Sequence, residues 1–296
     1  MNNEIIIASR ASPLALKQSE ILINLIPSIK TKVLEVVSKG DQIQNVSLQE
    51  VGGKGLFIKN LENKLISEEA DIAVHSLKDM EWKQPKELKI GAVLKRETRK
   101  DLLIGKWKSI FDLPVNAKLG TSSVRRKAFI LSHRPDLNIT FLRGNINTRI
   151  EKFKNGEYDA IILAKAGIQR LNIDVPYSEI SSEVMLPSAG QGAIAIQCRS
   201  NDKGVLKLLK SINNKLTEYE TLAERSFVAN LNGTCSSPIG ASANIKGDTL
   251  FLSGAIASPN GYAVFSDKTS GYYKNAINIG ETLANNILEK NKGFKI

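Results

Sequence analysis

Cysteine and histidine are nearly missing from this chain: its 296 residues hold two cysteines, Cys198 and Cys235, and two histidines, His75 and His133. So few cysteines exclude a disulfide scaffold and a multi-cysteine zinc site, and two histidines exclude a three-histidine metal centre, so no metal is expected. Aromatic residues make up 6% and are not interleaved with the basic ones, and no nucleic-acid-binding motif occurs, which argues against a nucleic-acid partner. No apolar run approaches the roughly eighteen residues of a membrane span, so no membrane partner is expected either. The start, Met1-Asn2-Asn3-Glu4, has no basic patch followed by an apolar stretch, and the expected compartment is therefore the cytoplasm. The Walker A pattern is also missing, which speaks against a nucleoside triphosphate site.

Positive charge, by contrast, is abundant and unevenly placed. Of the net +11, residues 1–94 contribute nothing, residues 95–187 contribute +7 and residues 188–296 contribute +4. Eight of the eleven arginines lie in the middle segment: Arg96, Arg99, Arg125, Arg126, Arg134, Arg143, Arg149 and Arg170. Guanidinium forks pair bidentately with carboxylate or phosphate, so such clustering points to an anionic partner. A solvated basic surface would give the same statistics.

The order of apolar runs predicts the architecture. Ile5–Ala8, Thr31–Val37 and Asp71–His75 read as strands, with helices after Ser12-Pro13 and over Leu56–Leu65 between them. The middle segment repeats this alternation: a strand ends at Lys118–Leu119, Val124–Ser132 is helical, Ile139–Leu142 is a strand, Asn147–Phe153 a helix and Tyr158–Leu163 a strand. Strand–helix alternation predicts α/β domains with largely parallel sheets. Ser188–Gly192 is small-residue chain leading into an extended Ala193–Gln197, a return from the second domain to the first. Beyond it, a helix over Leu216–Asn230, a hairpin turning at Ser258-Pro259-Asn260-Gly261 and a helix over Ala276–Glu289 predict a small α+β domain. The expected domains are 1–94 with 194–212, then 99–188, then 216–296.

Two strand-to-helix turns have the chemistry of anion sites. In Ala8-Ser9-Arg10-Ala11-Ser12-Pro13 a guanidinium and a hydroxyl stand at a helix start, where free N–H groups attract anions, although Ser12 as a plain N-cap explains part of this. In Gly120-Thr121-Ser122-Ser123-Val124-Arg125-Arg126 two arginines occupy a first helical turn, against the helix dipole, and an anionic ligand would account for them. Lys78-Asp79 follows a strand end, where α/β proteins place ligand groups, though a surface ion pair is the ordinary reading. Cys235 sits in a turn of small residues before Pro238 and is expected to be accessible, whereas Cys198, in an apolar run, fits a core position. Gly190-Gln191-Gly192-Ala193-Ile194-Ala195 matches GxGxxA but lacks the flanking strand and helix of a dinucleotide site, so it reads as a hinge. His75 ends an apolar strand and reads as structural, with a ligand role left open.

Taken together the motifs are specific. Ala8–Ala15, Val51-Gly52-Gly53-Lys54-Gly55-Leu56-Phe57, His75-Ser76-Leu77-Lys78-Asp79, Gly120–Arg126, Leu142-Arg143-Gly144-Asn145, Tyr158–Ala164, Leu186–Ala193 and Cys235 with Pro238-Ile239-Gly240 occur in this order along nearly the whole chain. In them the chain strongly resembles the porphobilinogen deaminase (hydroxymethylbilane synthase) family. The resemblance implies a transferase that polymerises porphobilinogen stepwise into the linear tetrapyrrole hydroxymethylbilane, with loss of ammonia. It implies a dipyrromethane cofactor joined to Cys235 by a thioether. Cofactor carboxylates would lie near Lys78, Asp79, Thr121, Ser123, Arg125 and Arg126, and substrate or growing chain near Arg10, Ser12, Arg143, Arg149 and Arg170. Asp79 matches the catalytic aspartate. The implied fold is two periplasmic-binding-protein-like (type II) α/β domains with the site in their cleft, plus the small C-terminal α+β domain carrying the cofactor cysteine. A monomer is expected, with hand-over of product to uroporphyrinogen-III synthase.

Three positions depart from the family pattern: Thr234 replaces a glycine before Cys235, Glu81 replaces a proline after Lys78-Asp79, and Gln197 replaces a glutamate. If position 234 required φ > 0, Thr234 would be strained. Two other classes compete with the enzyme reading. A solute-binding module would hold ligand reversibly with no covalent adduct, and a basic nucleic-acid protein would show salt-dependent retention on DNA.

Overall fold

The computed structural model describes residues 4–37, 55–234 and 236–291. The chain divides into two compact units, Met1–Glu97 with Ala193–Glu218, and Thr98–Gly192 with Tyr219–Ile296.

In the first unit, strand β1 (Glu4–Arg10) runs into helix α1 (Pro13–Leu25), which Ser12 caps by accepting from the Ala15 N–H at 3.4 Å. Proline at the first helical position lacks the N–H that a helix start leaves without an intrahelical acceptor anyway. Then follow β2 (Lys30–Val36), α2 (Gly55–Ile66), β3 (Ile72–Ser76), a single 3-10 turn over Leu77–Asp79, and β4 (Leu88–Val93). The sheet order is β2-β1-β3-β10-β4, where β10 (Ile194–Arg199) is the returning strand and α6 (Lys203–Ile212) follows it. β1 pairs in parallel with both β2 and β3, whereas β10 runs antiparallel to β3 and β4. Both faces are covered, so β3 and β10 read as nearly continuous apolar runs.

The second unit contains β5 (Asp101–Ile104), β6 (Lys118–Gly120), α3 (Val124–His133), β7 (Asn138–Thr140), α4 (Ile146–Lys154), β8 (Ala160–Ala164), the short α5 (Lys165–Arg170) and β9 (Tyr177–Glu179). Its sheet, β7-β6-β8-β5-β9, repeats the plan of the first: three parallel strands, then one antiparallel strand second from the edge. Helix α7 (Lys215–Asn230) leads to an antiparallel sheet of β11 (Ile239–Lys246), β12 (Thr249–Ala257) and β13 (Val264–Tyr272), packed by α8 (Ala276–Lys290). This is the α/β, α/β and α+β sequence of folds expected. The last segment clusters with the middle one because Ala255 and Ala257 of β12 share a core with Leu103, Leu119, Phe129 and Ile162. Gly280 and Gly254 keep that last segment tight: a Cβ on the first would meet the α7 backbone and on the second the Phe227 ring.

Strand and helix types follow the sequence pattern, but β4, β5, β9 and β11 carried no separate sequence signal. β5 is buried throughout, whereas β4, β9 and β11 are edge strands, and pairing with a neighbouring strand rather than a local pattern is what makes them strands.

Candidate functional site

Parallel strands direct their carboxyl ends to one edge of a sheet, and ligand groups collect there. In the first unit that edge receives Arg10 and Ser12 after β1 and Lys78-Asp79 after β3. β1 and β3 are neighbours, with Ile7 opposite Ile72 and Ala8 opposite Ala73, so the two turns lie side by side. Lys78 and Asp79 are both half-buried. Their turn is tied down from three directions. Gln18 of α1 donates Nε2 to Ser76 Oγ at 2.9 Å, the Leu77 N–H donates to the Ala193 carbonyl at 3.1 Å, and His75 meets Gln197 of β10 at 3.0 Å. Burial pushes the His75 imidazole down to about 4, against upward pulls from Gln197 and Asp79.

In the second unit the same edge receives the turns after β6, β7 and β8. The first carries Thr121 and Ser123 and the second Arg143, while Arg149 lies within α4 and Arg170 ends α5. Thr121 is buried and accepts from the Ser123 N–H at 3.2 Å, and Ser123 caps α3 through the Arg126 N–H at 3.4 Å. The Ser122 hydroxyl bonds the Leu142 carbonyl and accepts from the Leu142 N–H, locking the two turns together. Arg149 donates Nε to the Gly144 carbonyl at 2.8 Å, and Arg170 donates Nη2 to the Gly192 carbonyl at 2.7 Å.

The adjacent arginines of α3 have a resident anion that the sequence did not disclose. Arg125 donates to Asp101 Oδ2 at 2.8 Å and to the Leu186 carbonyl at 2.6 Å. Arg126 donates to Asp101 Oδ1 at 2.7 Å and to the Ile162 carbonyl at 2.8 Å. Both guanidiniums and Asp101 are buried. Asp101 can do this because β5 runs antiparallel to β8: Asp101 pairs with Ala164, so a strand start lies at the edge where its neighbours end. The sequence signal was faint, a single carboxylate heading the apolar run Leu102-Leu103-Ile104. Asp101→Asn is expected to lower stability by about 3 kcal/mol, because a buried charge without its partner is costly. A parental melting temperature would show that the arginines do not depend on it.

One carboxylate against two buried guanidiniums leaves positive charge at this edge, and Arg126 Nε is buried with no hydrogen-bond partner. That donor set, with Thr121 and Ser123 beside it, fits a group bearing carboxylates.

The Gly190-Gln191-Gly192 segment, read as a hinge, ends at the boundary between the two units and is hydrogen-bonded within the second. Gly190 and Gly192 both have positive φ, at 72° and 86°, which explains the residue type. The Gly190 N–H donates to Glu224 at 2.8 Å, and the buried Gln191 amide donates to the Arg99 carbonyl at 2.8 Å and to Asp101 at 3.1 Å. Buried Gln191 and Glu224 therefore anchor the segment within the second unit. Neither was singled out by sequence.

Cys235 lies outside the described residues. Next to it, Thr234 is unstrained: the positive φ in this turn belongs to Asn232, at 52°. The Thr234 hydroxyl accepts from the Ser236 N–H at 3.2 Å, and its own N–H donates to Ser237 Oγ at 3.0 Å. Space at Gly233 is tight, since a Cβ there would meet the tip of the Ile239 side chain and the Val228 carbonyl. Cys198 is fully buried, and burial pushes its thiol up to about 11. Among the described residues no His, Cys, Asp and Glu cluster could hold a metal ion, and no helix is long and apolar enough to cross a membrane.

Comparison with known proteins gives one answer. The family described as "Porphobilinogen deaminase, dipyromethane cofactor binding domain" matches residues 5–207, and "Porphobilinogen deaminase, C-terminal domain" matches residues 219–289. Curated relatives named porphobilinogen deaminase include those of Bacillus pumilus, 44% identical and covering 92% of this chain and 90% of that one, and of Buchnera aphidicola from Acyrthosiphon pisum, 44% identical over 97% and 94%. That of Clostridium novyi is 41% identical over 97% and 99%. Among solved structures, a nutrient-binding protein from Burkholderia cenocepacia bound to methionine aligns with a TM-score of 0.42 and 15% identity over 70% of this chain and 90% of that one, too remote to bear on ligand or activity.

Proposed function

The chain belongs to the porphobilinogen deaminase family, and from that premise we propose how its own residues carry the reaction. The protein is a transferase of tetrapyrrole biosynthesis that joins four porphobilinogen molecules stepwise into hydroxymethylbilane, releasing ammonia at each addition. It works on a covalently held dipyrromethane, which supplies the pyrrole nucleophile that starts the chain.

Cys235 holds this group by a thioether. Thr121, Ser123, Arg125 and Arg126 in the second unit, and Lys78 in the first, receive its acetate and propionate carboxylates. The orphaned Arg126 Nε and the excess of guanidinium over carboxylate around Asp101 support this assignment. Arg10, Ser12, Arg143, Arg149 and Arg170 receive the carboxylates of incoming substrate and elongating product. Each addition brings two more carboxylates, which an arginine-rich edge matches.

Asp79 is the catalytic residue. Its carboxylate accepts from pyrrole N–H groups, stabilises positive charge as it develops on the substrate, and takes part in proton transfer. What supports the choice is place: Asp79 stands half-buried in the turn that follows β3, at the carboxyl edge of the first unit's sheet. Action as a cytoplasmic monomer, and passage of product to uroporphyrinogen-III synthase, belong to the same proposal.

The observation that carries the reading is the family match over residues 5–207 and 219–289. Its test is intact-protein mass spectrometry before and after addition of porphobilinogen. The expected result is a chain heavier than its sequence by two linked pyrrole units, then a ladder of further units as ammonia appears. A bare chain that stays bare with substrate would overturn the function and favour a reversible solute-binding module.

A further inference from the structure

Behind the turn that carries Asp79 lies a chain of side-chain amides, half-buried at Gln84 and fully buried at Gln197, whose direction follows from its outer end. The Glu81 carbonyl can only accept, so Gln84 must turn its Nε2 toward it, at 2.7 Å, and present Oε1 inward. Gln197 then donates Nε2 to that Oε1 at 2.7 Å and to Glu62 Oε1 of α2 at 3.0 Å. Its remaining atom, Oε1, faces His75 Nε2 at 3.0 Å. An acceptor there requires a proton on His75 Nε2. A neutral imidazole has one N–H, so Nδ1 carries none. Glu62, His75 and Gln197 are all buried, and Gln197 is fully so.

We propose that Gln197 is a positioning residue for the reaction: its oriented amide selects the Nε2–H tautomer of His75 behind the Lys78-Asp79 turn. The inference rests on the assignment of Asp79 as catalytic. The charge acting on the ring is Asp79 from its own turn, and Glu62 of α2 accepts from the far side of the Gln197 amide. A protonated ring would set a positive charge against Asp79 and offset the negative charge that the substrate's pyrrole nitrogens need. An amide acceptor favours that proton weakly and a carboxylate in its place would favour it strongly. Burial opposes both pulls and outweighs the amide, since it disfavours the imidazolium. The ring is therefore expected to stay neutral throughout the neutral range, and turnover to show no titration of His75 there.

The chain's two histidines make this readable by nitrogen-15 NMR of the resting protein, because only two rings contribute. The expected wild-type result is a His75 ring protonated at Nε2 alone and silent to pH above 6. A ring protonated at Nδ1, or one that titrates near neutrality, overturns the proposal outright. Gln197→Glu adds a second carboxylate to the buried chain, and the His75 titration is expected to rise by about 1–3 pH units. The pH profile of kcat should gain an acid limb at the same pH while KM is unchanged. If the ring moves and the kcat profile does not, the charge of His75 does not reach the reaction and the proposal fails. Should Gln197→Glu not fold, Gln197→Met removes the acceptor, and loss of the single tautomer with lowered kcat is expected. A retained Nε2–H tautomer with parental kcat would refute it. The ring signals are recorded without turnover, so failure of the Asp79 assignment would show separately, as an active Asp79→Asn enzyme with His75 unaltered in tautomer.

Discussion

Asp79→Asn is expected to lower kcat by about a hundred- to ten-thousand-fold, the usual worth of a positioned acid–base or charge-stabilising group. Asparagine keeps the size of the side chain and one carbonyl acceptor, so it removes the charge and little else. The turn itself is held by neighbours that the substitution leaves in place: Ser76 to Gln18, Leu77 to Ala193, and His75 to Gln197. The effect should therefore appear in kcat, with an unchanged melting temperature and a covalent cofactor still seen by mass. Asp79→Glu retains the charge on a longer arm and should recover part of the loss. A kcat within a few fold of the parent for Asp79→Asn would end the assignment.

Cys235→Ser is expected to yield a chain with no adduct and no turnover, even after long incubation with porphobilinogen. A thiol has a substantial thiolate fraction near neutral pH and is a strong nucleophile, whereas an unassisted serine hydroxyl is neither. The chain offers one other sulfur nucleophile, and the fold disqualifies it. Cys198 sits within β10 against Leu209 and Val205, fully buried, its thiol pushed up to about 11. Cys198→Ala should therefore retain both adduct and activity. Mass spectrometry of the two variants decides the matter: an adduct on Cys235→Ser would move the attachment point elsewhere.

Much of this was legible before any coordinates. Ser12-Pro13 announces a helix start because hydroxyl capping and the proline's missing N–H are local properties, and α1 begins there with Ser12 as its cap. Asn145 and Ser123 cap α4 and α3 by the same local chemistry. The apolar run Tyr158–Leu163 marks β8, most of it fully buried, because a strand covered on both faces has no polar side to show. The Thr234 expectation went the other way. Strain at Thr234 was conditional on a positive φ there, and that condition is not met: the left-handed conformation in that turn falls on Asn232, a residue type that tolerates it.

The sequence by itself determined the family, the alternation of elements, the basic middle segment and the turns where ligand groups stand, because each of these is written in neighbouring residues. What only the tertiary structure decided are the partners of those groups. Asp101 reaches Arg125 and Arg126 across 24 and 25 positions, and Gln197 reaches His75 and Glu62 across 122 and 135. In each sheet these contacts exist because one strand, β5 or β10, runs against its neighbours and delivers its side chains among theirs. Strand direction and register emerge from packing the whole domain, so no local pattern in the chain could have disclosed that two arginines in a helix's first turn share one buried carboxylate. Nor could it have shown that a glutamine more than a hundred residues away lies against the His75 ring.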